Sequence, residues 1–389
     1  MPINVNFGGR ICAQWLLVLL AITACGGKDS GNQQADSQAA ANNICVTNTA
    51  GINWPALASQ RCQRLSQYKL FTAAPNQPAL QQRGQPFELG STLFTDHARK
   101  YRYFFLPQGK KIQYNASDIV GFPTGTVLAK VFTIPTSDTA ESAERIVEVR
   151  LMVLRENGWI FIPYRWDEAT QDGILAIAGE QQPVAFVHNG KSLSFDYQVP
   201  SLLRCQSCHQ QTLPDGGVQF QPIGPSIRHL NQTISVNGQA INQIQHWQNL
   251  GLITLPENVS PQQMPFAPDW RDPSQALKQR AKAYLDINCA HCHNDRGAAA
   301  LSGLRLEFWR QEIDYNHGVC NSAHGWRGGG FDIWPGRSDL SSLPLRMQLN
   351  GATDRMPPIG RTLADDEANQ LIRQWIDSLP YQDCAVDNQ

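Results

Sequence analysis

The stretch Cys289–His293 (CAHCH) decides the fold that the sequence predicts for the C-terminal part of the chain. Two thiols three positions apart, followed directly by an imidazole, have the spacing at which haem is attached through two thioethers and held by a proximal histidine. The residues before the stretch, 273–287, carry apolar side chains at three- and four-residue steps, which predicts a helix. Asp272 can cap this helix, and Pro273 suits its first turn. The sequence therefore predicts a helix that leads directly into a haem-attachment site.

A second copy of the pattern lies upstream at Cys205–His209 (CQSCH). A chain with ten cysteines and nine histidines is expected to hold about 0.006 chance copies, so chance does not explain two. The alternative is zinc, which needs further ligands at short spacing; His291 adds one imidazole, but neither motif has another CxxC pair nearby. We therefore expect two covalently bound haem c groups. The residues expected to hold them are Cys205, Cys208, His209, Cys289, Cys292 and His293, with His209 and His293 on the iron.

Length and composition limit the classes of protein that the chain can represent. A chain of 389 residues predicts two or three domains, and an apolar content of 42% is enough to build their cores. The formal net charge of −1 argues against a nucleic-acid partner and against strong electrostatic steering.

The N-terminal residues have the pattern of a targeting segment. Arg10 supplies a positive charge, and residues 11–22 form an apolar run that is too short to span a membrane easily. The run ends in Ile22–Cys25 (ITAC), which resembles a bacterial lipobox and predicts lipid attachment at Cys25; an ordinary signal peptide or a membrane helix is the alternative. Gly26 after the lipidated cysteine implies the outer membrane of a Gram-negative bacterium, on the periplasmic side or at the cell surface. The chain is then held at the membrane by its lipid alone.

The remaining cysteines predict disulfides. Cys12 leaves with the signal peptide, Cys25 takes lipid and four cysteines bind haem. An even number is left over in an oxidising compartment, which predicts up to two disulfides, although some could stay buried thiols. Three pairings are open among Cys45, Cys62, Cys320 and Cys384.

The middle of the chain is rich in β-type runs. Between residues 87 and 200, several runs alternate apolar and polar side chains and are bounded by turn residues, and Asn157-Gly158 is a hairpin signal. We expect an antiparallel, sandwich-like β-domain here, in which His97 and His188 are packing or surface residues rather than ligands. The expected fold class is therefore multidomain, an N-terminal antiparallel β-sandwich-like domain followed by mainly α cytochrome c-type haem domains.

Helical periodicity returns after residue 200. The first motif lacks an amphipathic helix before it, although residues 239–250 predict one later, so its unit is abbreviated. A final helix is predicted from Thr362, with Asp365 completing a capping pair. Its expected apolar stripe consists of Ala368, Leu371, Ile372, Trp375 and Leu379. The predicted segments are 1–24 (signal peptide), 25–43 (flexible tether), 44–86 (a Cys-containing segment that wraps onto a later domain), 87–200 (β-domain), 201–272 (first, abbreviated haem c unit) and 273–384 (second haem c unit, resembling a class I cytochrome c domain).

Methionines are the usual sixth ligands of the iron in cytochromes c. Met356 is followed by two prolines that fix the backbone just before the final helix, so it is the predicted distal ligand of the second haem, with Met347 as the next candidate. Met264 is the corresponding candidate for the first haem. His229, His246 or an open position are equally open alternatives there, because all of these residues lie between the two motifs.

Five stretches of the chain can be compared with known families: 122–130 (FPTGTVLAK), 158–166 (GWIFIPYRW), 284–293 (YLDINCAHCH), 332–336 (DIWPG) and 356–360 (MPPIG). Together they resemble a family of dihaem c-type cytochrome lipoproteins with an N-terminal β-domain. The resemblance covers residues 87–380. A similar module is joined to quinone-dependent sugar dehydrogenases in some proteins, which implies an electron-accepting role.

These observations predict an electron carrier rather than a catalyst. The chain is expected to pass single electrons from a redox protein donor, such as a dehydrogenase, to a downstream redox carrier. The rival interpretation is an enzyme, either a dihaem peroxidase or a MauG-like oxidase, which keeps one haem open. In a third interpretation the β-domain binds a ligand or a partner. Filled sixth positions on both irons favour the carrier, and an open iron with an acid–base residue above it favours the enzyme.

Overall fold

The computed structural model describes residues 44–46, 48, 50–77 and 79–385. The predicted signal peptide, the lipid site Cys25 and the tether 25–43 lie outside these residues. In the described part, helices long and apolar enough to cross a membrane are absent. The residues from 44 to 385 belong to one compact unit.

A six-stranded antiparallel sheet forms the centre of this unit, with strand order β1-β2-β4-β5-β6-β7. The alternating β-branched and aromatic runs of the sequence form its long strands. The hairpin predicted from Asn157-Gly158 is confirmed, because β5 and β6 pair directly across that turn with Arg155 opposite Gly158. The strands are β1 (Gly84–Pro86), β2 (Arg99–Phe105), β4 (Val127–Pro135), β5 (Glu144–Arg155), β6 (Gly158–Asp167) and β7 (Asp172–Leu175).

The two faces of the sheet are covered by different parts of the chain. One face presents Tyr103, Val149 and Tyr164 to the N-terminal segment, which contributes α1 (Trp54–Ser59) and the 3-10 turn Leu65–Tyr68. The opposite face presents Phe104, Leu128, Met152 and Phe161 to residues after 200. Because side chains alternate along a strand, a single sheet supplies a wall to both cores.

A second hairpin lies beside the sheet. Strands β8 (Glu180–His188) and β9 (Lys191–Val199) pair only with each other among the named strands. Val184 and Tyr197 pack against Phe132 and Val147 of the central sheet in a smaller core.

The chain from 201 to 275 consists of short elements. Residues 239–250, predicted as one helix, divide into a strand and a helix because the Asn242 side chain caps a helix that begins at Gln243. The elements are α2 (Leu202–His209), β10 (Gln210–Thr212), β11 (Val218–Phe220), α3 (Ile227–Leu230), β12 (Thr233–Val236), β13 (Gln239–Asn242), α4 (Gln243–Asn249) and β14 (Ile253–Thr254), the last paired in parallel with β3 (Ile112–Gln113).

The C-terminal part is built on helices α5 (Leu277–Leu285), α6 (Ser342–Gln348) and α7 (Asp366–Asp377). The last helix begins at Asp366 rather than at Thr362, because the Asp365 side chain caps it by accepting from Ala368 N at 3.2 Å. Its expected apolar stripe is confirmed at Ala368, Leu371, Ile372 and Trp375, which are buried, whereas Leu379 lies beyond the helix end. The helix before the second motif is shorter than expected. It begins at Leu277, and Asp272 instead accepts a hydrogen bond from Ser274 N. A π-turn, Asp286–Ala290, extends this helix into the motif.

The fold class expected from the sequence is wrong. The chain is mostly β, with 28% in strands and 22% in helices, and its main sheet is a single six-stranded sheet rather than a sandwich. A mainly α cytochrome c domain is not indicated either. The helical pattern holds at α5 and α7, but the Gly-rich stretch between them forms loops, isolated bridges and the 3-10 turns Ala300–Ser302, Tyr315–His317 and Ser338–Leu340.

Candidate haem-attachment site

The first motif lies on α2 and faces the central sheet. Ser201 caps this helix by accepting a hydrogen bond from Arg204 N at 3.4 Å. Cys205 and Cys208 are one helical turn apart and therefore lie on the same side of the helix. Cys205 is buried in the core formed with the sheet, and the His209 ring packs at 5.0 Å from the ring of Phe161 on β6. The sheet thus supplies a wall that the short helical unit lacks.

A backbone carbonyl fixes the proton of His209. The hairpin β10–β11 returns Gln221 to the end of α2, where its carbonyl oxygen lies 2.7 Å from His209 Nδ1. A carbonyl can only accept, so Nδ1 carries the proton and Nε2 keeps its lone pair. Burial lowers the pKa of His209 to about 3, which keeps the imidazole neutral. A neutral imidazole with a free Nε2 is the form that binds iron.

The second motif follows α5 through the π-turn. The amides of Cys292 and His293 both donate to the Cys289 carbonyl, at 3.1 and 2.9 Å. Ser302 lies 2.9 Å from His293 Nδ1 and donates its own hydroxyl proton to Ala299 O at 2.7 Å, so its oxygen accepts from the imidazole. Burial lowers the pKa of His293 to about 4. This histidine therefore also has its proton on Nδ1 and its lone pair on Nε2.

The two motifs contact each other. The Cys208 thiol lies near Cys292 and His291, and these neighbours lower the pKa of Cys208. Gln211 Nε2 donates to the His291 carbonyl at 3.1 Å, and Thr212 N donates to Arg296 O at 2.7 Å. Motifs separated by about eighty residues in the sequence thus form one site.

A cavity lies between the first motif and the sheet; we call it the sheet-side cavity. Cys205, Cys208 and His209 line one side of it, and the sheet face around Leu128 and Phe161 lines another. Its walls are largely apolar. Small-molecule and cofactor sites typically have such walls, with a few polar groups placed in them.

Met356 and Met347 also line the sheet-side cavity. The loop that carries Met356 is held by Arg361, whose Nη2 donates to the carbonyls of Met356 at 2.9 Å and Met347 at 3.0 Å. Arg346 connects this loop to the second motif. Its carbonyl accepts from Met356 N at 2.9 Å. The pKa of His293 is lowered mainly by burial, then by His291, and the positive charge of Arg346 lowers it further. His293 itself lines neither this cavity nor the next one.

A second cavity adjoins Cys208, His209 and His291; we call it the His229 cavity. His229 Nε2 lies 2.7 Å from Asp286 Oδ2, and Arg228 donates to both oxygens of the same carboxylate, at 2.7 and 3.1 Å. Although burial raises the pKa of Asp286, Arg228 and His229 hold it well below its usual value. The carboxylate accepts from His229 Nε2, and among the described residues the buried Nδ1 of the same ring has no hydrogen-bond partner.

The sixth-ligand candidates of the first motif are in different places. Met264 is buried in the core with Trp247 and lines neither cavity. His246 lies partly exposed on α4. His229, which the sequence offers only as an alternative, is the candidate that shares a cavity with His209.

The cysteines outside the motifs pair as Cys45–Cys62 and Cys320–Cys384, a choice that the sequence leaves open. The first bridge ties the N-terminal segment beneath the sheet, and the second ties the C-terminus to the loop after Gly318. In the β-rich part, the rings of His97 and His188 lie 4.0 Å apart, and His188 Nδ1 is 2.8 Å from Asp138.

Within the described residues, no group of three or more His, Cys, Asp or Glu side chains is arranged to hold a metal ion. Comparisons with family models, with curated proteins and with solved structures gave no match.

Proposed function

We propose that the chain is a dihaem c-type cytochrome that transfers single electrons. The observation that carries the proposal is common to both motifs: His209 and His293 each hold their Nδ1 proton on an oxygen acceptor and keep Nε2 free. Proximal histidines of metal sites need this second hydrogen bond to fix the ring and the tautomer. Two CxxCH sequences with this arrangement fit two covalent haems better than two unrelated cysteine pairs.

The residues of the first motif fit a haem in three respects. The thiols of Cys205 and Cys208 lie one helical turn apart, the imidazole of His209 is neutral, and the adjoining cavity has apolar walls. A haem supplies an iron that takes up and releases one electron. The chain's part is to hold the group by its thiols, to orient the imidazole and to exclude water with Phe161, Leu128 and Met152.

Met356 is the proposed sixth ligand of the second haem. Its loop is fixed by Arg361, and Arg346 lies next to both Met356 and His293. A thioether ligand favours reduced iron and therefore raises the potential.

His229 is the better-supported sixth ligand of the first haem. Its Nδ1 is buried and lacks a partner in the described chain, and His229 lines a cavity with His209. Met264 is buried in the same apolar core as Cys205 but lines neither cavity. Asp286 holds the proton on Nε2 and so leaves Nδ1 as a ligand atom. We include Met264 as the alternative to be tested.

The nearness of Cys208 to Cys292 supports transfer between the two haems, because the two attachment sites adjoin. The proposed partners are a redox protein donor, such as a dehydrogenase, and a downstream redox carrier. Lipid at Cys25 would hold the chain at the outer membrane, facing the periplasm.

A second candidate function is catalysis at the first haem. It is favoured by the same His229–Asp286 pair, because an imidazole oriented by a carboxylate is also a proton acceptor next to an open iron. His229 is then an acid–base residue instead of a ligand.

Carbon monoxide binding to the reduced holoprotein distinguishes these functions. The carrier predicts two haem absorptions that carbon monoxide leaves unchanged, because both sixth positions are filled. His229→Leu should open one haem to carbon monoxide, and the matched variant Met264→Leu should not. A wild-type protein that binds carbon monoxide at one haem would support the enzyme instead, and a protein without haem absorption would overturn both functions.

A further inference from the structure

A row of cationic side chains crosses three neighbouring strands of the central sheet. Arg102 on β2 is the cross-strand partner of Lys130 on β4, and Lys130 is the partner of Arg150 on β5. Paired residues of antiparallel strands present their side chains on the same face, so the three cations lie side by side. We call Arg102, Lys130 and Arg150 the cation row. Like charges directly opposite each other destabilise a sheet unless an anion lies between them.

The cation row has fewer anionic partners than charges. Arg150 pairs with the buried Glu148, whose Oε2 accepts from Nη2 at 2.8 Å. Arg102 is 8% exposed, and within the described residues its Nη2 atom has no hydrogen-bond partner. Lys130 Nζ lies 5.0 Å from the centre of the Phe132 ring. Burying a guanidinium without a carboxylate partner lowers the stability of the fold, because the desolvation of the charge is not offset. This indicates that the site binds an anion.

The cation row faces the first motif. Arg102, Lys130 and Arg150 line the sheet-side cavity together with Cys205 and His209. The electrostatic effects agree with this placement. Burial raises the pKa of Cys205 to about 11, and the positive charge of Arg150 opposes that shift. Burial is also the main cause of the lowered pKa of His209, and the charges of Lys130 and Arg150 lower it further.

We propose that the cation row is a buried binding site for two carboxylates, and that the propionates of the haem held by Cys205 and Cys208 occupy it. This inference rests on the proposed function. A haem carries two carboxylates on one edge, and Arg102 and Lys130 are the two cations of the row without a carboxylate partner in the described chain. A free dicarboxylate has the same chemistry, so the source of the carboxylates has to be tested separately.

The cation row also sets the potential of this haem. Positive charges near an iron stabilise its reduced form, which carries one positive charge less than the oxidised form. The row therefore raises the potential of the first haem, whose histidine lines the sheet-side cavity; His293 of the second motif does not line it.

The test compares two substitutions with the same charge change in the holoprotein. Lys130→Met removes a cation of the row without leaving Glu148 unpaired, and Lys191→Met removes an exposed lysine of β9. Redox titration should show a lower potential for one haem in Lys130→Met, by about tenfold in the reduction equilibrium or about 59 mV for one electron. Lys191→Met should match the wild type. Lys130→Arg keeps the charge and should restore the potential, which separates a charge effect from misfolding. Equal potentials in all four proteins would overturn the proposal.

A second measurement identifies the source of the carboxylates. Calorimetric titration of the holoprotein with succinate, and separately with inorganic phosphate, should show no saturable binding if propionates fill the row. Saturable succinate binding that Lys130→Met abolishes would overturn the assignment to propionates. Failure of the proposed function gives a different result, because the wild type would then carry no haem to titrate.

Discussion

The first motif, Cys205–His209, and the second motif, Cys289–His293, share one spacing but have different surroundings. The first lies on a short helix against a β-sheet that presents cations and aromatic rings. The second ends helix α5, which packs against α7 in an apolar core. The acceptors differ too, a backbone carbonyl at His209 and a serine hydroxyl at His293. The residues that would attach haem are thus neighbours in the sequence. The candidate sixth ligands and the charged side chains around each motif come from distant parts of the chain that the fold brings close.

Asp286 connects the two surroundings, and its loss should have the largest effect on stability. It lies in the turn before the second motif and accepts from Arg228 and His229 near the first. Asp286→Ala leaves the Arg228 guanidinium and the buried Nε2–H of His229 without their carboxylate acceptor, which should lower the free energy of unfolding by about 3–5 kcal/mol.

Denaturant unfolding measures this change. The control is Asp295→Ala, which removes an exposed carboxylate that pairs with Arg305 and should cost at most about 1 kcal/mol. Equal losses in the two variants would mean that the two motifs are not joined through Asp286.

Met356→Ala tests whether the two haems have different sixth ligands, because only the second haem should lose its ligand in this variant. We expect loss of the weak long-wavelength band of thioether-ligated ferric haem, a lower potential for one haem and binding of carbon monoxide to that haem, while both haems stay attached. The reason is that Arg361 fixes the loop of Met356, and that Arg346, which accepts from Met356 N, acts electrostatically on His293.

Met347→Leu is the matched control, because Met347 lines the same cavity and shares the Arg361 contact. If that variant loses the band and Met356→Ala keeps it, then Met347 is the ligand.

Ser302→Ala tests the difference between the two hydrogen-bond acceptors, the Ser302 hydroxyl at His293 and the Gln221 carbonyl at His209. Of the predicted changes, its effect on the haem potential should be the smallest. Without the serine oxygen, His293 is a weaker electron donor, so the potential of the second haem should rise slightly. The first haem should not change, because its histidine donates to the Gln221 backbone carbonyl. The control is Ser207→Ala, whose hydroxyl donates to Leu203 O on the exposed side of α2. A shift of equal size in Ser207→Ala would show that Ser302 acts through general stability.

The features that the sequence predicts correctly are local ones. The hairpin at Asn157-Gly158 and the apolar stripe from Ala368 to Trp375 follow from neighbouring residues, and both form. The fold class is wrong because helical periodicity before and after the second motif says nothing about the loops between α5 and α7.

The surroundings of the motifs depend on long-range pairing. The cation row exists because strand register aligns Arg102, Lys130 and Arg150, which are spread over three runs of sequence. His229 and Asp286 meet across 57 positions. The alternation of side chains along β2 and β4 places Arg102 and Lys130 on strand faces that are otherwise apolar. This feature of the sequence could have indicated a polar site on the sheet.

The mass of the denatured protein tests the central claim most directly. The chain should be produced in a host that matures c-type cytochromes, and its mass should exceed that of the processed polypeptide by two haems. The pair Cys205→Ser with Cys208→Ser, and separately the pair Cys289→Ser with Cys292→Ser, should each retain one haem. A wild-type mass without covalently attached haem, from a host that attaches haem to a control cytochrome, would contradict the account.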